Sequence, residues 1–366
     1  RIENIIPKPS DIFSTIKRYA FDNCIYGKNR NRGIGMKEIY RKAMEIWEVP
    51  EAFYEAALPM YREYEAALAV SFGRDPIPGR EICRLLEEWG NADAECLLFE
   101  SYQRNVLEKC EGGCSGEMCY RMTDFYSRYP YFAQYEPEAY AEFSQETVDS
   151  LNEWDLKVYM DRTAQAALAI AAGKDVPMHQ TQYLTLQESF DMMDTLGEAL
   201  IILPCNCKAM GRCTEKPVNV CINKLEKGPN TPYDRKLGTI LTLEETKKLI
   251  RRINKKGLMQ SGENNVLCNC DGVYCYPTKM ARILGTRLHY PTSHYETLWD
   301  ENLCVRCGKC TKICNFEAFY KDQAGKVKFD PEKCWGCTIC SANCPKGAIS
   351  LKKRVTEPGS NLTENR

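Results

Sequence analysis

Apolar residues recur every three or four positions in two stretches of the N-terminal part of the chain. These stretches are Glu81–Trp89 and Cys96–Lys109, and Gly90 lies between them. The spacing predicts two amphipathic helices, with Gly90 at the end of the first. Aromatic residues then crowd positions 120–143, where they favour core and strand positions over a partner surface. The crowded aromatic residues are Tyr126, Tyr129, Tyr131, Phe132 and Tyr135.

Two later segments share one pattern of apolar and polar positions, which indicates an internal repeat. Leu184–Glu188 leads through a predicted helix to Cys205–Cys207, and Leu241–Glu245 leads through another to Cys268–Cys270. In each copy a Thr at the helix N-cap is followed three residues later by Glu, which is a capping-box signature. A short apolar stretch, predicted as a buried strand, precedes each Cys-Asn-Cys. We therefore expect a pseudo-symmetric pair that presents two cysteine loops at the same end of its strands.

The length of 366 residues is too great for one average domain. The pattern predicts an α+β protein whose mainly helical N-terminal part, residues 1–180, is a candidate region for docking a partner. A central module with the repeated helix, strand and Cys-x-Cys follows over 181–300, a denser cysteine module occupies 301–352, and a polar tail covers 353–366. The longest apolar run is Ala166–Ala172, so we expect no segment to span a membrane.

Charge is distributed unevenly, although the formal net charge of the chain is −1. Residues 81–150 hold 15 Asp and Glu against 5 Lys and Arg, whereas residues 206–260 hold 13 Lys and Arg against 5 Asp and Glu. Such blocks indicate separate acidic and basic faces. The near-zero total argues against general binding to nucleic acid, so we expect no nucleic-acid partner.

Cysteine is the outlier in the composition, with 21 residues, and most are separated by one to four positions. Disulfide scaffolds are usually short chains that cannot build a core, and this chain is long. Closely spaced cysteines chelate a metal more readily than they bridge each other. We therefore expect metal or cluster ligands in a reducing compartment, the cytoplasm, with disulfides as the alternative. The isolated Cys24, Cys83 and Cys96 are predicted to be buried structural thiols.

Two runs of four cysteines near the C-terminus follow the pattern C-x2-C-x2-C-x3-C. Three cysteines at two-residue gaps let one short loop wrap three irons of a cubane, while the fourth points toward the other cluster. The spacing therefore predicts crossed ligation, in which the last cysteine of each run completes the other site. Cluster one takes Cys304, Cys307, Cys310 and Cys344, and cluster two takes Cys334, Cys337, Cys340 and Cys314.

This segment resembles the bacterial two-cluster ferredoxins over about 45 residues, with Gly308 and Gly336 near the cluster loops. The resemblance implies a ferredoxin-like domain over 301–352 with two [4Fe–4S] clusters. One departure is Asn315, which stands where the first motif usually has Pro but removes no ligand. Residues 301–350 hold 8 Lys and Arg against 5 Asp and Glu. This surplus partly offsets the charge of about −4 that two oxidised clusters bring.

The central module offers further thiols, four from the first copy of the repeat and three from the second. They are Cys205, Cys207, Cys213 and Cys221, and then Cys268, Cys270 and Cys275. Four thiolates suffice for one cubane, so we expect a third [4Fe–4S] cluster in the first copy and a candidate further site in the second. Zinc is the alternative, because the C-x-C spacing differs from that of ferredoxins. Two cubanes need eight ligands, one more than the seven thiols of the central module. The eighth could come from Cys110, Cys114, Cys119, His289, His294 or an exogenous group.

The central spacing also resembles a family of iron–sulfur proteins from anaerobes. In that family a C-x-C element with a later Pro and Cys, here Cys213, Pro217 and Cys221, and a second Cys-Asn-Cys element precede a two-cluster ferredoxin domain. The resemblance covers about residues 180–350 and implies electron transfer. Asp271 and Gly272 stand where the family is richer in cysteine.

A third cysteine set, Cys110, Cys114 and Cys119, lies among glycines in the N-terminal part. Its spacing, C-x3-C-x4-C, differs from the C-x3-C-x2-C that radical S-adenosylmethionine chemistry requires. We interpret the segment as a glycine-rich loop with ordinary thiols, and as a further source of ligands in the alternative.

These features predict electron transfer through several [4Fe–4S] clusters to or from a partner oxidoreductase subunit that carries the catalytic site. We favour a flavoprotein or a metal-containing reductase as the partner, because the sequence shows no nucleotide loop, flavin motif or hydrolytic constellation. One alternative is an iron–sulfur enzyme whose central cluster has an open iron. The other is a redox-sensing regulator, because the helix, helix and extended segment of the N-terminal part resemble a winged helix.

Overall fold

The computed structural model describes residues 34–110, 117–176, 181–263 and 265–354. The chain forms two compact units. One comprises the residues up to Glu142 together with Lys227–Thr239, and the other comprises Phe143–Glu226 and the residues from Ile240 onward. These units divide the chain at other positions than the predicted boundaries near residues 180 and 300.

The first unit is mainly helical. Its helices are α1 (Ile34–Ile46), α2 (Tyr54–Ala57), α3 (Glu63–Phe72), α4 (Gly79–Glu88), α5 (Ala94–Gln103), α6 (Phe125–Tyr135) and α7 (Pro137–Ala141), with 3-10 turns at Glu51–Phe53 and Leu58–Met60. Helices α4 and α5 confirm the two helices that the spacing predicts, and Gly90 has a left-handed φ of 85° just beyond α4. Helix α5 ends earlier than predicted, because Asn105 adopts a φ of 58° and the chain then enters a strand.

A small antiparallel sheet accompanies these helices. Its strands are β1 (Ile77–Pro78), β2 (Leu107–Cys110) and β3 (Cys119–Met122), in the spatial order β1-β3-β2. From α3 to β3 the chain therefore runs helix, strand, helix, helix, strand, strand. This is the element order of a winged helix.

The aromatic segment after β3 is a helix, so the prediction of an extended segment there is wrong. Asp124 caps α6 by accepting a hydrogen bond from the backbone N–H of Ser127 at 2.7 Å. Phe125, Tyr129 and Phe132 recur at helical spacing and are fully buried. The prediction of core positions is confirmed for Tyr129 and Phe132, whereas Tyr126, Tyr131 and Tyr135 are only partly buried. The helical period of the buried residues outweighs their strand propensity.

Segment 227–239 lies far along the chain but belongs to the first unit. The Arg235 guanidinium is buried and stacks over the ring of Tyr102, 4.3 Å from its centroid. Lys109 Nζ forms an ion pair with Asp234 at 2.8 Å. These contacts hold the segment against α5 and β2.

Two cysteines of the N-terminal part are disulfide-bonded, unlike the cysteines of the later modules. Cys96 and Cys119 are disulfide-bonded, so the interpretation of both as ordinary free thiols is wrong. Their tertiary positions decide the pairing, which spacing along the chain does not reveal. Cys24 and Cys114 lie outside the described residues. Every cysteine from Cys205 to Cys344 is a free thiol.

The second unit contains seven described helices and most of the strands. The helices are α8 (Gln145–Ala171), α9 (Leu186–Leu196), α10 (Asn206–Met210), α11 (Leu243–Lys255), α12 (Tyr276–Leu284), α13 (Lys309–Ile313) and α14 (Ile339–Asn343). Helix α8, which the predicted division places in the N-terminal part, packs through Ala167 and Ala171 against Met280 and Tyr290. None of the helices in the described ranges is long and apolar enough to cross a membrane.

A seven-stranded sheet forms the centre of the second unit. Its strands are β4 (Gln182–Leu184), β5 (Ala199–Pro204), β6 (Asn219–Lys224), β7 (Thr239–Thr242), β8 (Met259–Glu263), β9 (Val266–Cys270) and β10 (Thr292–Ser293), in the order β10-β4-β8-β9-β6-β5-β7. Helices α9 and α11 pack on it through Met193 and Ile250. Thr185 and Thr242 form the predicted capping boxes with Glu188 and Glu245, which confirms both helix starts.

Two antiparallel pairs of short strands complete the unit. Strand β11 (Tyr295–Trp299) pairs with β14 (Ile349–Lys353), and β12 (Phe319–Lys321) pairs with β13 (Val327–Phe329), both antiparallel. A 3-10 turn, Pro331–Lys333, precedes the second cysteine run. Strand β12 contacts α13 and strand β14 contacts α14, and each of these helices contains the third cysteine of its run.

Candidate iron–sulfur sites

Each C-terminal cysteine run is built on a loop that turns into a five-residue helix. Gly308 precedes α13 with a φ of 70°, and Thr338 precedes α14 with a φ of 64°. The third cysteine of each run lies inside the helix, and the fourth is the residue just after it. The helix therefore directs the fourth cysteine away from the loop that holds the other three.

Four cysteines line one small cavity and form the outer cysteine group. They are Cys304, Cys307, Cys310 and Cys344. Burial, with the neighbouring Cys304 and Cys307, raises the pKa of Cys310 to about 11. The structure thus brings together the four residues that the sequence assigns to cluster one, including the one from the second run.

The inner cysteine group consists of Cys314, Cys334, Cys337 and Cys340. Burial raises the pKa of Cys337, and the charges of Cys314 and Cys334 raise it further. Burial raises the pKa of Cys340 well above its usual value, and Cys337, Cys334 and Cys314 add to the effect. The fourth cysteine of the first run therefore lies with the first three of the second run, as crossed ligation requires.

These donor sets fit cubane clusters. In the described ranges, no group of three or more His, Cys, Asp or Glu side chains has the arrangement that holds a single metal ion. A cubane does not require four thiolates to converge on one metal ion, because each thiolate binds a different iron. Both groups offer four thiols, and the outer four line a common cavity.

Aromatic side chains shield the inner group. Trp335, between two ligand positions, stacks on Phe316 with ring centroids 4.8 Å apart and planes at 8°. The Arg282 guanidinium lies 5.8 Å from the centroid of each of these rings. The Gly336 N–H donates to Cys334 Sγ at 3.4 Å, the kind of contact that tunes a cluster's potential.

The central cysteines are gathered by the order of strands in the large sheet. Strand β6 is antiparallel to both β5 and β9, so β5 and β9 run in the same direction and end at the same edge. Ile222 of β6 pairs with Leu267 of β9, which makes Cys221 and Cys268 the next positions along the ladder. Cys221 also pairs with Leu203, near the end of β5.

Six thiols consequently become neighbours and form the central cysteine group. They are Cys205, Cys207, Cys221, Cys268, Cys270 and Cys275. Hydrogen bonds from Cys221 and Cys270 hold the pKa of Cys268 well below its usual value. The hydrogen bond with Cys205, together with burial, raises the pKa of Cys207. The group combines thiols from both Cys-Asn-Cys elements.

Cys213 has different neighbours. Its Sγ lies 3.6 Å from Glu215 Oε2 and 3.8 Å from the Lys216 carbonyl oxygen. The set predicted for a third cluster is therefore not gathered as one group, because its other members neighbour the cysteines of β9. Of the histidines considered as an eighth ligand, His294 hydrogen-bonds Gln182 Oε1 at 2.7 Å. The ligands of any additional cluster stay a prediction.

A row of buried side-chain amides connects the inner and central groups. Asn343 donates to Asn254 Oδ1 at 2.6 Å, Asn254 donates to Gln260 Oε1 at 2.6 Å, and Gln260 donates to Asn269 Oδ1 at 3.0 Å. Asn343 lies on α14 with Cys340 of the inner group, and Asn269 lies between Cys268 and Cys270 of the central group. Sequence reasoning missed this row, although its two ends are marked by Asn residues beside cysteines.

Asn315, the departure from the ferredoxin pattern, has a structural partner on each side. Its Oδ1 accepts from Lys216 Nζ at 2.7 Å, and its Nδ2 donates to the Gly257 carbonyl at 3.0 Å. Gly272 passes so close that an added Cβ would lie 2.3 Å from the Asn315 carbonyl oxygen. Asn in place of Pro therefore anchors the first cysteine run to the central module.

The comparisons with known proteins concern the C-terminal part. A family model described as a 4Fe-4S dicluster domain matches residues 298–351. A ferredoxin of Methanocaldococcus jannaschii is 35% identical over 60 residues, which are 16% of this chain and 78% of that protein. Pyruvate synthase subunit PorD of the same organism is 36% identical over 56 residues, or 15% of this chain and 65% of the subunit.

A larger relative shares the same segment. The archaeal-type glutamate synthase (NADPH) of Thermotoga maritima is 40% identical over 55 residues, which are 15% of this chain and 11% of the synthase. The chain thus spans about a tenth of the length of that relative. The matches define an iron–sulfur protein whose C-terminal part binds [4Fe–4S] clusters. Through its C-terminal domain, the chain belongs to the ferredoxin family with a 4Fe-4S dicluster domain.

Proposed function

We propose that this protein passes single electrons to or from a partner oxidoreductase subunit. The observation that carries the proposal is the pairing of two complete cysteine groups in one domain, one reaching the surface and one buried. Cys307 of the outer group is exposed, whereas Cys337 and Cys340 of the inner group are buried. An exposed site suits exchange with another protein, and a buried site suits storage or relay within the chain.

The outer cysteine group is proposed to hold the first [4Fe–4S] cluster and the inner cysteine group the second. The clusters supply the one-electron chemistry, while the protein sets their potentials through burial, hydrogen bonds and charge. The Gly336 N–H and the Arg282 guanidinium favour added negative charge at the inner group. The central cysteine group supports a further cluster, with zinc as the alternative.

The partner is proposed to dock over the outer group. Leu303 and Val305 are 54% and 56% exposed beside Cys307. Lys346 lines the cavity of the outer group and Arg306 lies beside Cys307 in the chain; both are exposed, and neither forms an ion pair within the part of the chain that the structure describes. An apolar patch with unpaired positive charge at its rim fits a partner with an acidic surface around its own redox centre.

A flavoprotein or a metal-containing reductase is the partner class that we favour. Pyruvate synthase subunit PorD is by its name one subunit of a larger enzyme, which supports a multi-subunit setting for this chain as well. The acidic N-terminal region is a weaker docking candidate than the outer face, because its aromatic side chains Tyr129 and Phe132 lie in the core.

Crossed ligation is tested on the anaerobically purified full chain by EPR of the reduced protein. Cys344→Ser should remove the same cluster signal as Cys304→Ser, and Cys314→Ser the same signal as Cys334→Ser. Each variant should lose about four irons, because one cubane has four. If Cys344→Ser instead matches Cys334→Ser, the crossing is wrong.

The electron-transfer function is tested by stopped-flow reduction of flavodoxin, an acidic flavoprotein, by the pre-reduced full chain. We expect a rate that falls with salt and that falls further in a Lys346→Glu variant. Lys174→Glu, a charge reversal on an exposed Lys outside the cysteine modules, is the matched control. Absence of any flavodoxin reduction, with both clusters fully loaded, would overturn the proposal.

A redox-sensing regulator is the second candidate, because the first unit has the element order of a winged helix. Helix α5 carries Glu95 and Glu100 and no Lys or Arg, however, so its charge repels a phosphate backbone. Binding of the oxidised or reduced chain to duplex DNA at low salt, measured by fluorescence anisotropy, would favour the regulator.

A further inference from the structure

Lys208 is a buried cation among thiols. It lies on α10 directly after Cys207 and is 1% exposed. Its Nζ donates to the Asn269 carbonyl at 2.9 Å, and this is the hydrogen bond that the structure gives it. Across the described ranges, no carboxylate lies within ion-pair distance of Lys208. Burial of an ammonium without an anionic partner is strongly unfavourable. A neighbouring anion is therefore needed to stabilise the charged Lys208 side chain.

The groups near this ammonium include cysteines from both copies of the repeat. Its charge acts on Cys205 and Cys213 of the first copy and on Cys268 of the second, and it also acts on Lys216. A free thiol is mostly neutral near pH 7, whereas a thiol that coordinates a metal is deprotonated. Metal-bound thiolates of the central cysteine group supply the missing anion.

The ligands of one centre must then come from both copies. Cys221 and Cys268 are neighbours across β6 and β9, and Cys205 interacts with Cys268 as well. Neither copy alone contributes four thiols to the central cysteine group, because Cys213 faces Glu215 and the Lys216 carbonyl. A single shared centre is consistent with both observations.

This centre adjoins the inner cysteine group. Cys270 and Cys275 pack in the same buried cluster of side chains as Cys337, together with Tyr183 and Trp335. Tyr183 is 1% exposed and its hydroxyl meets Thr278 Oγ1 at 3.3 Å. The amide row from Asn343 to Asn269 fixes the two groups relative to each other.

We propose that the central module holds one anionic, thiolate-ligated iron–sulfur centre shared by both copies of the repeat, with Lys208 as its buried counter-ion. It is the innermost redox site of the chain, next to the inner cysteine group. The proposal deepens the electron-transfer function, on which it rests, by naming the ligand source and the charge that stabilises the reduced state.

Iron and sulfide analysis of the full chain tests the shared centre. The wild type should hold about 12 irons, and Cys205→Ser/Cys207→Ser and Cys268→Ser/Cys270→Ser should each hold about 8. Cys213→Ser is the matched control and should keep all 12. About 16 irons in the wild type, with each double variant losing only four, would show separate centres. About 8 irons with stoichiometric zinc, or loss of iron in Cys213→Ser, would also overturn the proposal.

Redox titration followed by EPR tests Lys208. Lys208→Met should lower the midpoint potential of the central centre, because reduction adds negative charge that Lys208 offsets, and should leave the two C-terminal clusters unchanged. Lys208→Arg should restore the potential. If the Lys208→Met chain does not bind the central centre, the iron content of Lys208→Arg is the deciding measurement. About 12 irons per chain support the counter-ion role of Lys208, and about 8 contradict it. An unchanged potential in Lys208→Met also contradicts it.

The two proposals fail in distinguishable ways. Loss of the central centre leaves the outer and inner cysteine groups intact, so flavodoxin reduction by a Cys268→Ser/Cys270→Ser chain tests electron transfer by itself. Reduction at an undiminished rate per loaded C-terminal cluster is the expected result. A loaded central centre in a chain that reduces no flavodoxin overturns only the electron-transfer function.

Discussion

The outer and inner cysteine groups are built from the same sequence pattern but lie in different environments. The outer group lines a cavity at the surface, with Cys307 and Val305 exposed. The inner group is covered by Trp335, which is 6% exposed and stacked on Phe316. One motif thus yields a site open to exchange and a site shielded from water. Burial and solvent access differ, and both set the potential of a cluster.

The largest expected difference is in the loss of iron. When the anaerobic full chain is treated with a chelator and ferricyanide, the outer group should release its iron first, because water and reagents reach Cys307. EPR of samples quenched over time should show one C-terminal signal disappearing while the other persists. Simultaneous loss of both signals would mean that burial of the inner group gives no protection.

The tryptophan beside each group offers a test of packing. Trp335→Ala should lower the free energy of unfolding by about 3–5 kcal/mol, the usual cost of removing a buried tryptophan. Trp299 lines the outer cavity, is only partly buried and meets Phe319 edge-on at 6.3 Å. Trp299→Ala should therefore lower the free energy of unfolding by less. Urea unfolding of the two cluster-loaded variants measures both effects. Equal costs would remove the contrast in packing between the two sites.

The glycine of each loop gives a finer comparison. Gly308 and Gly336 both have left-handed φ values, 70° and 60°, so alanine at either should cost about 1–2 kcal/mol. A Cβ at Gly336 would also lie 2.0 Å from Ser293 Oγ and 2.4 Å from the Tyr295 carbonyl oxygen. At Gly308 the first atom met is Lys321 Cε, at 3.1 Å on a flexible side chain.

Gly336→Ala should therefore destabilise the chain by roughly 1–3 kcal/mol more than Gly308→Ala, since the backbone must shift. Thermal unfolding of the two loaded variants in parallel measures the difference. Identical midpoints would indicate that the inner loop is as adaptable as the outer one.

Sequence reasoning works best where the chemistry is local. The gap between the third and fourth cysteine of each run is three residues, and a five-residue helix turns the fourth cysteine toward the other group. The crossed grouping could therefore be predicted from spacing. The capping boxes at Thr185 and Thr242 are local in the same sense, because each side chain bonds a backbone group three residues away.

What the sequence could not predict depends on which distant strands meet. The central cysteine group exists because β6 lies between β5 and β9, a neighbour relation that periodicity does not encode. The buried amide row from Asn343 to Asn269 is equally non-local. Helix α6 is missed for another reason: its aromatic residues have strand propensity, and their helical spacing together with the Asp124 cap outweighs that propensity.

Segment 227–239 belongs to the first unit but is synthesised long after the rest of that unit, and this order affects how the chain folds during translation. Residues up to Glu142 emerge from the ribosome before Asp234 and Arg235 exist, and about 100 residues of translation take roughly 5–20 s. During that interval the Tyr102 ring lacks the guanidinium that later stacks on it, and Lys109 lacks its carboxylate partner. The N-terminal unit therefore matures only after the first Cys-Asn-Cys element has been translated, and the nascent chain carries unliganded thiols while that unit is still incomplete.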